Sequence, residues 1–239
     1  MPERVAPRTD GPECADREPS PRPQGMTIEE AYQDYLAAVK AGDRRRAMLA
    51  VDRGRAAGFD LPTLYLEVFQ PTLREIGRLW QENRLTVAEE HLATAITQSA
   101  MLRLYGELEI PQSTGPALIA ACAETERHEI GLRMLCDFMD LAGWKTVFLG
   151  ASVPAESLVQ MIRERQPDVV ALSASIAPHL PQLRTTISAV RGAAGGKQPL
   201  VLVGGRPFLD QPGLVESVGA DLVANDAAEA AALLRERWP

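Results

Sequence analysis

The side chains with the clearest chemical potential in this chain lie in one short segment, Glu126-Arg127-His128-Glu129-Ile130-Gly131. A neutral imidazole such as that of His128 is a good ligand for a transition metal. The carboxylate of Glu126 can accept the proton of the other ring nitrogen, which fixes the tautomer and raises the basicity of the ligand. Gly131 lets a bulky group approach the backbone. The segment therefore predicts a supported metal ligand, although a lone loop histidine is more often solvated or a structural hydrogen-bond partner.

Two further short groups have the composition of a binding loop. Ser173 and Ser175 carry hydroxyls that could bond a buried heterocycle or its sugar, and Gly204-Gly205 leaves a slot that side chains would block. Taken alone, a glycine pair after a strand is a common turn device. The order and spacing are more specific, because 41 residues separate Gly131 from Ser173 and 28 separate Ser175 from Gly204.

A third group comes earlier in the chain, where nine residues separate Trp80 from Glu90-His91. Trp80 ends one predicted helix, and His91 lies in the first turns of the next. Antiparallel helices joined by a short turn can bring such residues together on one face. The alternative interpretation is ordinary core packing for Trp80 and a solvated pair for Glu90 and His91.

The C-terminal half must position the first two groups, and it alternates between apolar runs and helical segments. Such alternation predicts a parallel sheet covered on both faces. Five units predict the doubly wound, flavodoxin-like arrangement, in which ligands bind beyond the carboxyl ends of the strands where the strand order reverses. The predicted strands are Ala117–Ala123, Lys145–Leu149, Val169–Ser173, Leu200–Val203 and Leu222–Ala224, and the predicted helices are 129–142, 155–165, 179–191, 211–217 and 226–237.

The N-terminal half must position the third group, and residues 26–110 are predicted to form a four- or five-helix bundle. Thr27 with Glu30, and Thr86 with Glu89, have the spacing of capping boxes that open two of its helices. Short turns between the helices favour antiparallel neighbours.

The remaining boundaries follow from proline and charge. A helix is predicted from Leu61 to about Glu82, with Pro71 expected to bend or interrupt it. Residues 1–25 are rich in proline and charge and are predicted to be a disordered tail. Residues 111–116 are a predicted linker, and residues 117–239 a predicted Rossmann-like domain.

Composition excludes several classes of protein. The net charge of −7 and the pI of about 5.1 disfavour direct binding of nucleic acid, which needs a basic face. No apolar run is long enough to predict a membrane span, and the start lacks the apolar stretch of a secretory signal. The three cysteines, Cys14, Cys122 and Cys136, follow no metal or disulfide spacing. Cys122 and Cys136 lie in apolar segments, so we expect them to be buried, inert thiols, which fits a reducing cytoplasm.

The order (Asp/Glu)-x-His-x-x-Gly, then Ser-x-(Leu/Thr), then Gly-Gly resembles the signature of cobalamin-binding domains that hold the cofactor base-off with a histidine on cobalt. These include methionine synthase, corrinoid methyl-carrier proteins and cobalamin photoreceptors. The segment 143–150 is similar to the second strand of that family, which ends in a glycine against the corrin, here Gly150. The resemblance covers about residues 27–239. Glu126 replaces the Asp of many members, though photoreceptors often have Glu, and Ser175 replaces the usual Leu or Thr.

The resemblance implies roles for these residues. His128 would be the lower axial ligand to cobalt, and Glu126 would support it. The helical bundle would cap the upper face. The slot for the displaced dimethylbenzimidazole tail would be lined by Gly131, Ser173, Ser175, Gly204 and Gly205.

The spacing Trp-x9-Glu-His is similar to the upper-face motif of light-sensing adenosylcobalamin repressors of carotenoid synthesis. By that resemblance Trp80 would pack on the adenosyl group, with Glu90 and His91 beside it. Light would break the Co–C bond, the cap would repack, and His91 would be near enough to take the vacated cobalt position. The resemblance thus implies a sensor with no catalytic activity.

Other interpretations remain open from the sequence. A corrinoid carrier subunit of a methyltransferase system would use the same His128. A further alternative is a sensor that also holds a bilin. Another is a flavodoxin-like domain that binds a different small molecule. The resembling repressors carry a helix-turn-helix domain in front, and the first 25 residues are too short and proline-rich to form one. We therefore expect output through a protein partner such as a transcription factor, or through a change in homo-oligomeric state.

Overall fold

The computed structural model describes residues 25–193, 197–211 and 213–238. Residues 1–24 of the predicted tail, including Cys14, lie outside the described residues. An all-helical N-terminal part is followed by an α/β part, as predicted.

The N-terminal helices begin where the sequence places capping residues. The Thr27 hydroxyl accepts from the Glu30 backbone N–H, and the Glu30 carboxylate accepts from the Thr27 N–H, so both capping bonds form. Thr86 and Glu89 repeat this arrangement. The helices of this part are α1 (Ile28–Lys40), α2 (Arg44–Ala56), α3 (Leu61–Thr63), α4 (Gln70–Gln81) and α5 (Val87–Gly106).

The stretch predicted as one helix interrupted by proline is continuous but changes geometry. A π-helical segment, Leu64–Phe69, joins α3 to α4, and the Gln70 N–H donates to the Tyr65 carbonyl five residues back. Pro71 follows in the first turn of α4. A proline lacks an N–H and its ring crowds the carbonyl four residues earlier. The wider turn before Pro71 therefore accommodates the ring without ending the helix.

The α/β part contains a parallel sheet in the order β2-β1-β3-β4-β5, counted over the described residues. This is the predicted flavodoxin-like order, so the carboxyl ends of β1 and β3 flank the point where the strand order reverses. The strands are β1 (Ala117–Ala123), β2 (Lys145–Val153), β3 (Val169–Ser173), β4 (Leu200–Gly204) and β5 (Leu222–Ala224).

Strand β2 is longer than predicted because it continues past an irregularity. The prediction ended it at Leu149, whereas pairing with β1 resumes at Gly150 and Val153 after two shifts of register. Gly150 has a φ of +80°, which glycine adopts more readily than other residues.

The helices that cover the sheet lie close to their predicted positions, with two refinements. A short 3-10 turn, Ala177–His179, precedes the helix that follows β3. The helix predicted at 211–217 is the shorter Leu214–Val218, and a further short helix, Arg206–Asp210, precedes it. The elements are α6 (Ile130–Leu141), α7 (Ala155–Arg165), α8 (Leu180–Ala193), α9 (Arg206–Asp210), α10 (Leu214–Val218) and α11 (Ala227–Arg237).

Buried apolar residues form two clusters, one on each face of the sheet. The first runs from the N-terminal helices through α6 and α11 to one face of the sheet, with Tyr65 and Phe138 stacked 5.8 Å apart between the two parts. The second lies between the other face and α7 and α8. Cys122 and Cys136 are buried and form no disulfide, as expected for inert thiols. No helix in the described ranges is both long and apolar enough to cross a membrane.

Candidate cofactor-binding site

A cavity of about 870 Å³ lies between the N-terminal helices and the carboxyl ends of the strands. One wall comes from α4 and α5, and the facing wall comes from the loops after β1, β3 and β4. The structure thus brings together most of the residues predicted from the sequence. Those that line the cavity are Trp80, Glu90, His91, His128, Gly131, Ser173, Ser175, Gly204 and Gly205.

Glu126 lies beneath the wall formed by the loops after the strands and is fully buried, with 0% of its surface exposed. Its Oε1 accepts from the backbone N–H of His128 at 2.8 Å and from the ring Nδ1 of His128 at 2.5 Å. Its Oε2 accepts from the backbone N–H of Ser175 at 2.6 Å and from the ring Nδ1 of His179 at 2.9 Å. Four donors therefore saturate the two carboxylate oxygens.

The backbone of Glu126 is fixed as firmly as its side chain. Its N–H donates to the carbonyl of Ala123 at the end of β1, and its carbonyl accepts from the N–H of Ser152 at the end of β2. With Ser175, which follows β3, three strand ends meet at this residue. The sheet topology therefore sets the position of the carboxylate.

The electrostatics of the pair favour an ionised carboxylate. Burial alone would raise the pKa of Glu126, but hydrogen bonds from the two histidine rings and from the backbone N–H groups of Ser175 and His128 outweigh it and lower the pKa to about 2. The hydrogen bond to Glu126 raises the pKa of His128 above its ordinary value, against the opposing effect of burial.

The ring of His128 presents one nitrogen to Glu126 and leaves the other for a ligand. About half of the side chain, 48%, is exposed, and it faces the cavity. Because Nδ1 is held by the carboxylate, the tautomer with a free lone pair on Nε2 is favoured. A single imidazole at the floor of a large cavity suits a metal whose other ligands come from its own macrocycle.

The glycines of the site differ in what they do. Gly131 lines the cavity, and a Cβ there would meet nothing within 4 Å, so the fold itself does not require a glycine at this position and its small size leaves room for a ligand. Gly205 is required by the protein itself, because a Cβ there would lie 2.0 Å from the carbonyl oxygen of Ala174 and its φ is +116°.

Gly150 does not line the cavity. A Cβ at this position would lie 2.9 Å from Oε2 of Glu129, so the glycine makes room for that carboxylate. The other oxygen of Glu129 accepts from Nε2 of Gln98 on α5 at 2.8 Å. Glu129 thus connects the loop that carries His128 to the N-terminal helices, a contact that no sequence motif indicated.

The two serines contribute in different ways. The Ser173 hydroxyl is buried, and its partner is the thiol of Cys122 at 3.5 Å. Ser175 contributes its backbone N–H to Glu126. The slot behind them is lined by small or apolar side chains from α6, the strands and α11, including Met134, Leu135, Ala171, Leu202, Ala224, Ala227 and Ala230.

The opposite wall is more exposed. Trp80, at the end of α4, has 36% of its surface exposed, and the side chain of His91 has 66%. Nδ1 of His91 lies 2.5 Å from Oε2 of Glu90, whose other oxygen accepts from the Thr94 hydroxyl at 3.1 Å. This pair repeats the arrangement of Glu126 and His128 without its burial.

His179 is the site residue that the sequence interpretation missed. The sequence predicts that residue 179 begins a helix, whereas in the structure its side chain contacts Glu126 from the 3-10 turn after β3. No sequence motif signalled this contact, because His179 and Glu126 meet only through the pairing of β1 with β3 in the folded sheet.

Comparison with known proteins agrees with this geometry. A model of the B12 binding domain matches residues 116–235, and a second model, also described as a B12 binding domain, matches residues 31–105. The HTH-type transcriptional repressor CarH of Myxococcus xanthus is 32% identical over 77% of this chain and 59% of the repressor. The related repressor CarA of the same organism is 31% identical over 65% of this chain and 50% of the repressor. The chain therefore spans half to three fifths of the length of these repressors.

Corrinoid proteins match along more of their own length. Trimethylamine corrinoid protein 1 of Methanosarcina acetivorans is 24% identical over 87% of this chain and 96% of that protein. The solved structure of the monomethylamine corrinoid protein of Methanosarcina barkeri has a TM-score of 0.77 and 21% identity, covering 88% of this chain and 100% of the other. At that identity the likeness shows the fold, which is the predicted combination of helical cap and five-stranded parallel sheet.

Proposed function

This chain belongs to the family of B12-binding domains, and we propose that it is a light sensor that holds adenosylcobalamin with His128 as the lower axial ligand. The observation that carries the proposal is the pairing of two different histidine–carboxylate units across one cavity. Glu126 and His128 form the buried unit, and Glu90 and His91 form the exposed unit beside Trp80.

The wall formed by the loops after β1, β3 and β4, called the lower wall from here on, has residues that fit a cobalamin. A carboxylate that holds Nδ1 leaves Nε2 of His128 for cobalt. Gly131 leaves its side of the wall open, and the slot of small apolar side chains beyond Ser173 and Ser175 suits a displaced benzimidazole tail. The cavity has the size of a site for a large ligand.

The wall formed by α4 and α5, called the upper wall from here on, favours a cobalamin with a bulky ligand on the face of the corrin opposite His128. The half-open indole of Trp80 offers an aromatic surface for an adenosyl group, and Glu90 can accept hydrogen bonds from it. When bound, adenosylcobalamin supplies a Co–C bond that visible light can break. His91, whose Nδ1 is held by Glu90, has Nε2 available as a second ligand once the upper position is free.

Side-chain hydrogen bonds between the cap and the α/β part support a transmitted response. Gln98 donates to Glu129 at 2.8 Å, the Tyr65 hydroxyl donates to Asp137 at 2.7 Å, and the Tyr105 hydroxyl donates to Asp140 at 2.9 Å. The contact between Trp80 and the adenosyl group exists only while that group is bound, and breaking the Co–C bond removes it. That difference biases the position of the cap, as any ligand-dependent switch requires.

The output proposed for this switch is a contact with a partner. Two relatives are named as transcriptional repressors, and the net negative charge of this chain disfavours direct binding of DNA. We therefore favour a protein partner such as a transcription factor, with a change in self-association as the means of release.

A corrinoid carrier subunit is the second candidate function. The match over 96% of a trimethylamine corrinoid protein supports it, because that protein has nearly the same extent as this chain. Both functions use the lower wall. They differ in the upper wall, where a carrier has to admit a partner enzyme to the metal and a sensor has to enclose an adenosyl group.

The deciding experiment is an absorption spectrum of the purified chain with adenosylcobalamin, taken in the dark and after green light, with molar mass measured in both states. The sensor predicts a stable new spectrum after illumination and a change in mass, with a different dark spectrum in His128→Ala. Binding without a change in mass or a distinctive photoproduct would favour the carrier. A further band in the red region of the native protein would indicate a bilin, and failure to bind any cobalamin would overturn both candidates.

A further inference from the structure

The outer face of the N-terminal helices carries apolar side chains that the cavity does not use. Leu49 on α2 is 53% exposed, and Leu92 and Leu102 on α5 are 46% and 57% exposed. They are three of the six large apolar residues that are exposed in the described part of the chain. Single apolar residues are ordinary on a protein surface, whereas neighbouring ones indicate an interaction site.

The two helices that carry these leucines lie side by side and run in the same direction. Gly42, just before α2, lies so close to Leu92 that a Cβ on the glycine would be 2.8 Å from the leucine side chain. Further along both helices, the Asp52 carboxylate of α2 forms a salt bridge with Arg103 of α5. The exposed leucines of the two helices therefore belong to one surface, called the α2–α5 surface from here on.

Between its two exposed leucines, α5 presents small side chains to the outside. Ala95 is exposed and Ser99 is partly exposed. With Leu92 and Leu102 they follow a spacing of three, four and three residues, which places all four on one face of the helix. A low strip between larger side chains is a shape into which another helix packs.

The start of α2 supplies positive charge to this surface. Arg44, Arg45 and Arg46 are exposed, and none of them forms a salt bridge with another described residue. Three cations in the first turn of a helix interact unfavourably with its dipole, so they do not serve the stability of α2. Arg45 lies one turn before Leu49, on the same face of the helix.

The acidic side chains of the same region are already engaged. They accept hydrogen bonds or form ion pairs within the chain, and they are Asp43, Asp52, Glu89 and Glu90. The arginines at the start of α2 are thus the charges for which the described residues provide no partner. A partner that covers the α2–α5 surface has to bring carboxylates of its own.

Other occupants satisfy only part of this surface. In a symmetric dimer the same surface meets itself, so the arginines of one copy would approach those of the other. Phosphates of a nucleic acid would pair with the arginines and leave the leucines without an apolar contact. A membrane would attract the arginines, but the apolar face of α2 is buried in the core and is not available to enter lipid.

We propose that the α2–α5 surface is the docking site for an acidic amphipathic helix of a partner protein. The apolar side of that helix covers the leucines, and its carboxylates pair with the arginines at the start of α2. The surface adjoins the upper wall, because Ala95 also lines the cavity. Its role in signalling rests on the proposed function, whereas docking itself needs no cofactor.

The probe is a synthetic peptide of about 20 residues, which is long enough to form a helix alone. It has leucines along one face, glutamates beside them and alanines elsewhere, and a second peptide has lysines in place of the glutamates. Fluorescence anisotropy of each labelled peptide, titrated with the full-length chain, gives the affinities. We expect saturable binding of the acidic peptide that weakens with added salt, and binding of the basic peptide that is at least about tenfold weaker.

Matched variants locate the binding site. Arg45→Glu should weaken binding of the acidic peptide about fivefold, because an attractive charge becomes repulsive. Arg165→Glu makes the same change of charge at the exposed end of α7 and should alter the affinity by less than about twofold. Leu102→Ser should weaken binding about tenfold through the loss of an apolar contact. Glutamate suits the first turn of α2 and Leu102 is exposed, so urea unfolding should show folded variants.

The outcomes separate failure of the docking site from failure of the proposed function. Equal affinity for the two peptides, or equal losses in Arg45→Glu and Arg165→Glu, would overturn the docking site. Tighter binding of a short DNA duplex or of vesicles containing phosphatidylglycerol would do the same, as would a dimer in solution that Leu102→Ser dissociates. With adenosylcobalamin bound, we expect different peptide affinities in the dark and after light. Equal affinities in both states would contradict the proposed signalling and leave the docking site standing.

Discussion

The two walls of the cavity carry the same chemical unit in different surroundings. On the lower wall the carboxylate of Glu126 is fully buried and receives four hydrogen bonds. On the upper wall the Glu90–His91 pair lies on the surface of α5, with 66% of the histidine side chain exposed. A buried pair is fixed by the fold, while an exposed pair can rearrange at little cost. The comparison indicates a permanent anchor below and an adjustable contact above.

The largest expected effect comes from removing the buried carboxylate. Glu126→Ala leaves the backbone N–H groups of His128 and Ser175 without their partner, and it removes the acceptor shared by two imidazoles. We expect a loss of about 3 kcal/mol in the free energy of unfolding of the cofactor-free protein. Urea denaturation measures it.

The matched control on the upper wall is Glu90→Ala. Its partners are His91 and Thr94, both on the same helix, so the expected loss is below about 1 kcal/mol. Equal losses for the two variants would contradict the contrast between a fixed anchor and an adjustable contact.

The pH dependence of stability should show the same contrast. The pKa of Glu126 is lowered to about 2 in the folded protein, so its contribution is complete above the ordinary carboxyl range and is lost as the pH falls from about 4.5 towards 2. The pKa shift corresponds to about 3 kcal/mol at 1.36 kcal/mol per unit.

One other buried group must be separated from this effect. Burial raises the pKa of Asp137 to about 6, so its contribution has the opposite sign and grows as the pH falls from about 6 to 4. The difference between wild type and Glu126→Ala isolates the Glu126 contribution at each pH. A difference that stays constant from pH 5 to pH 2 would contradict a lowered pKa for this carboxyl.

A smaller effect is expected from the aromatic surface of the upper wall. Trp80→Ala should weaken binding of adenosylcobalamin by about tenfold, equivalent to 1.4 kcal/mol, through the loss of an aromatic contact with the adenosyl group. Hydroxocobalamin has no such group, so its affinity should change by less than about twofold. Affinities from spectroscopic titration of both cobalamins with wild type and variant make the comparison. Equal losses for both ligands would show that Trp80 supports the cavity generally and does not select the upper group.

The sequence predicted the local features of the fold and the site better than the contacts between distant residues. Order and spacing led to the lower motif, the strand order and both capping boxes, because each depends on contacts that a periodic pattern or a short motif encodes. The His179–Glu126 and Gln98–Glu129 contacts were not predicted. They join residues that are 53 and 31 positions apart in the chain, and their proximity follows only from the folded topology. The π-helical segment before Pro71 escaped for another reason: proline signals a disturbance and leaves its form to the surrounding packing.

The smallest expected effect tests the connection between the walls. Gln98 on α5 donates to Glu129, the neighbour of His128, so this hydrogen bond joins the N-terminal helices directly to the loop that carries His128. Gln98→Ala should cost only about 1 kcal/mol of stability, the net value of one hydrogen bond. Hydrogen exchange of α5 in the cofactor-free protein should nevertheless accelerate several-fold near residue 98. Ser99→Ala is the matched control, because that hydroxyl bonds to the Ala95 carbonyl within the same helix. If both variants exchange alike, the cap is held by packing alone, and a signal between the walls would have to pass through the apolar cluster around Tyr65 and Phe138.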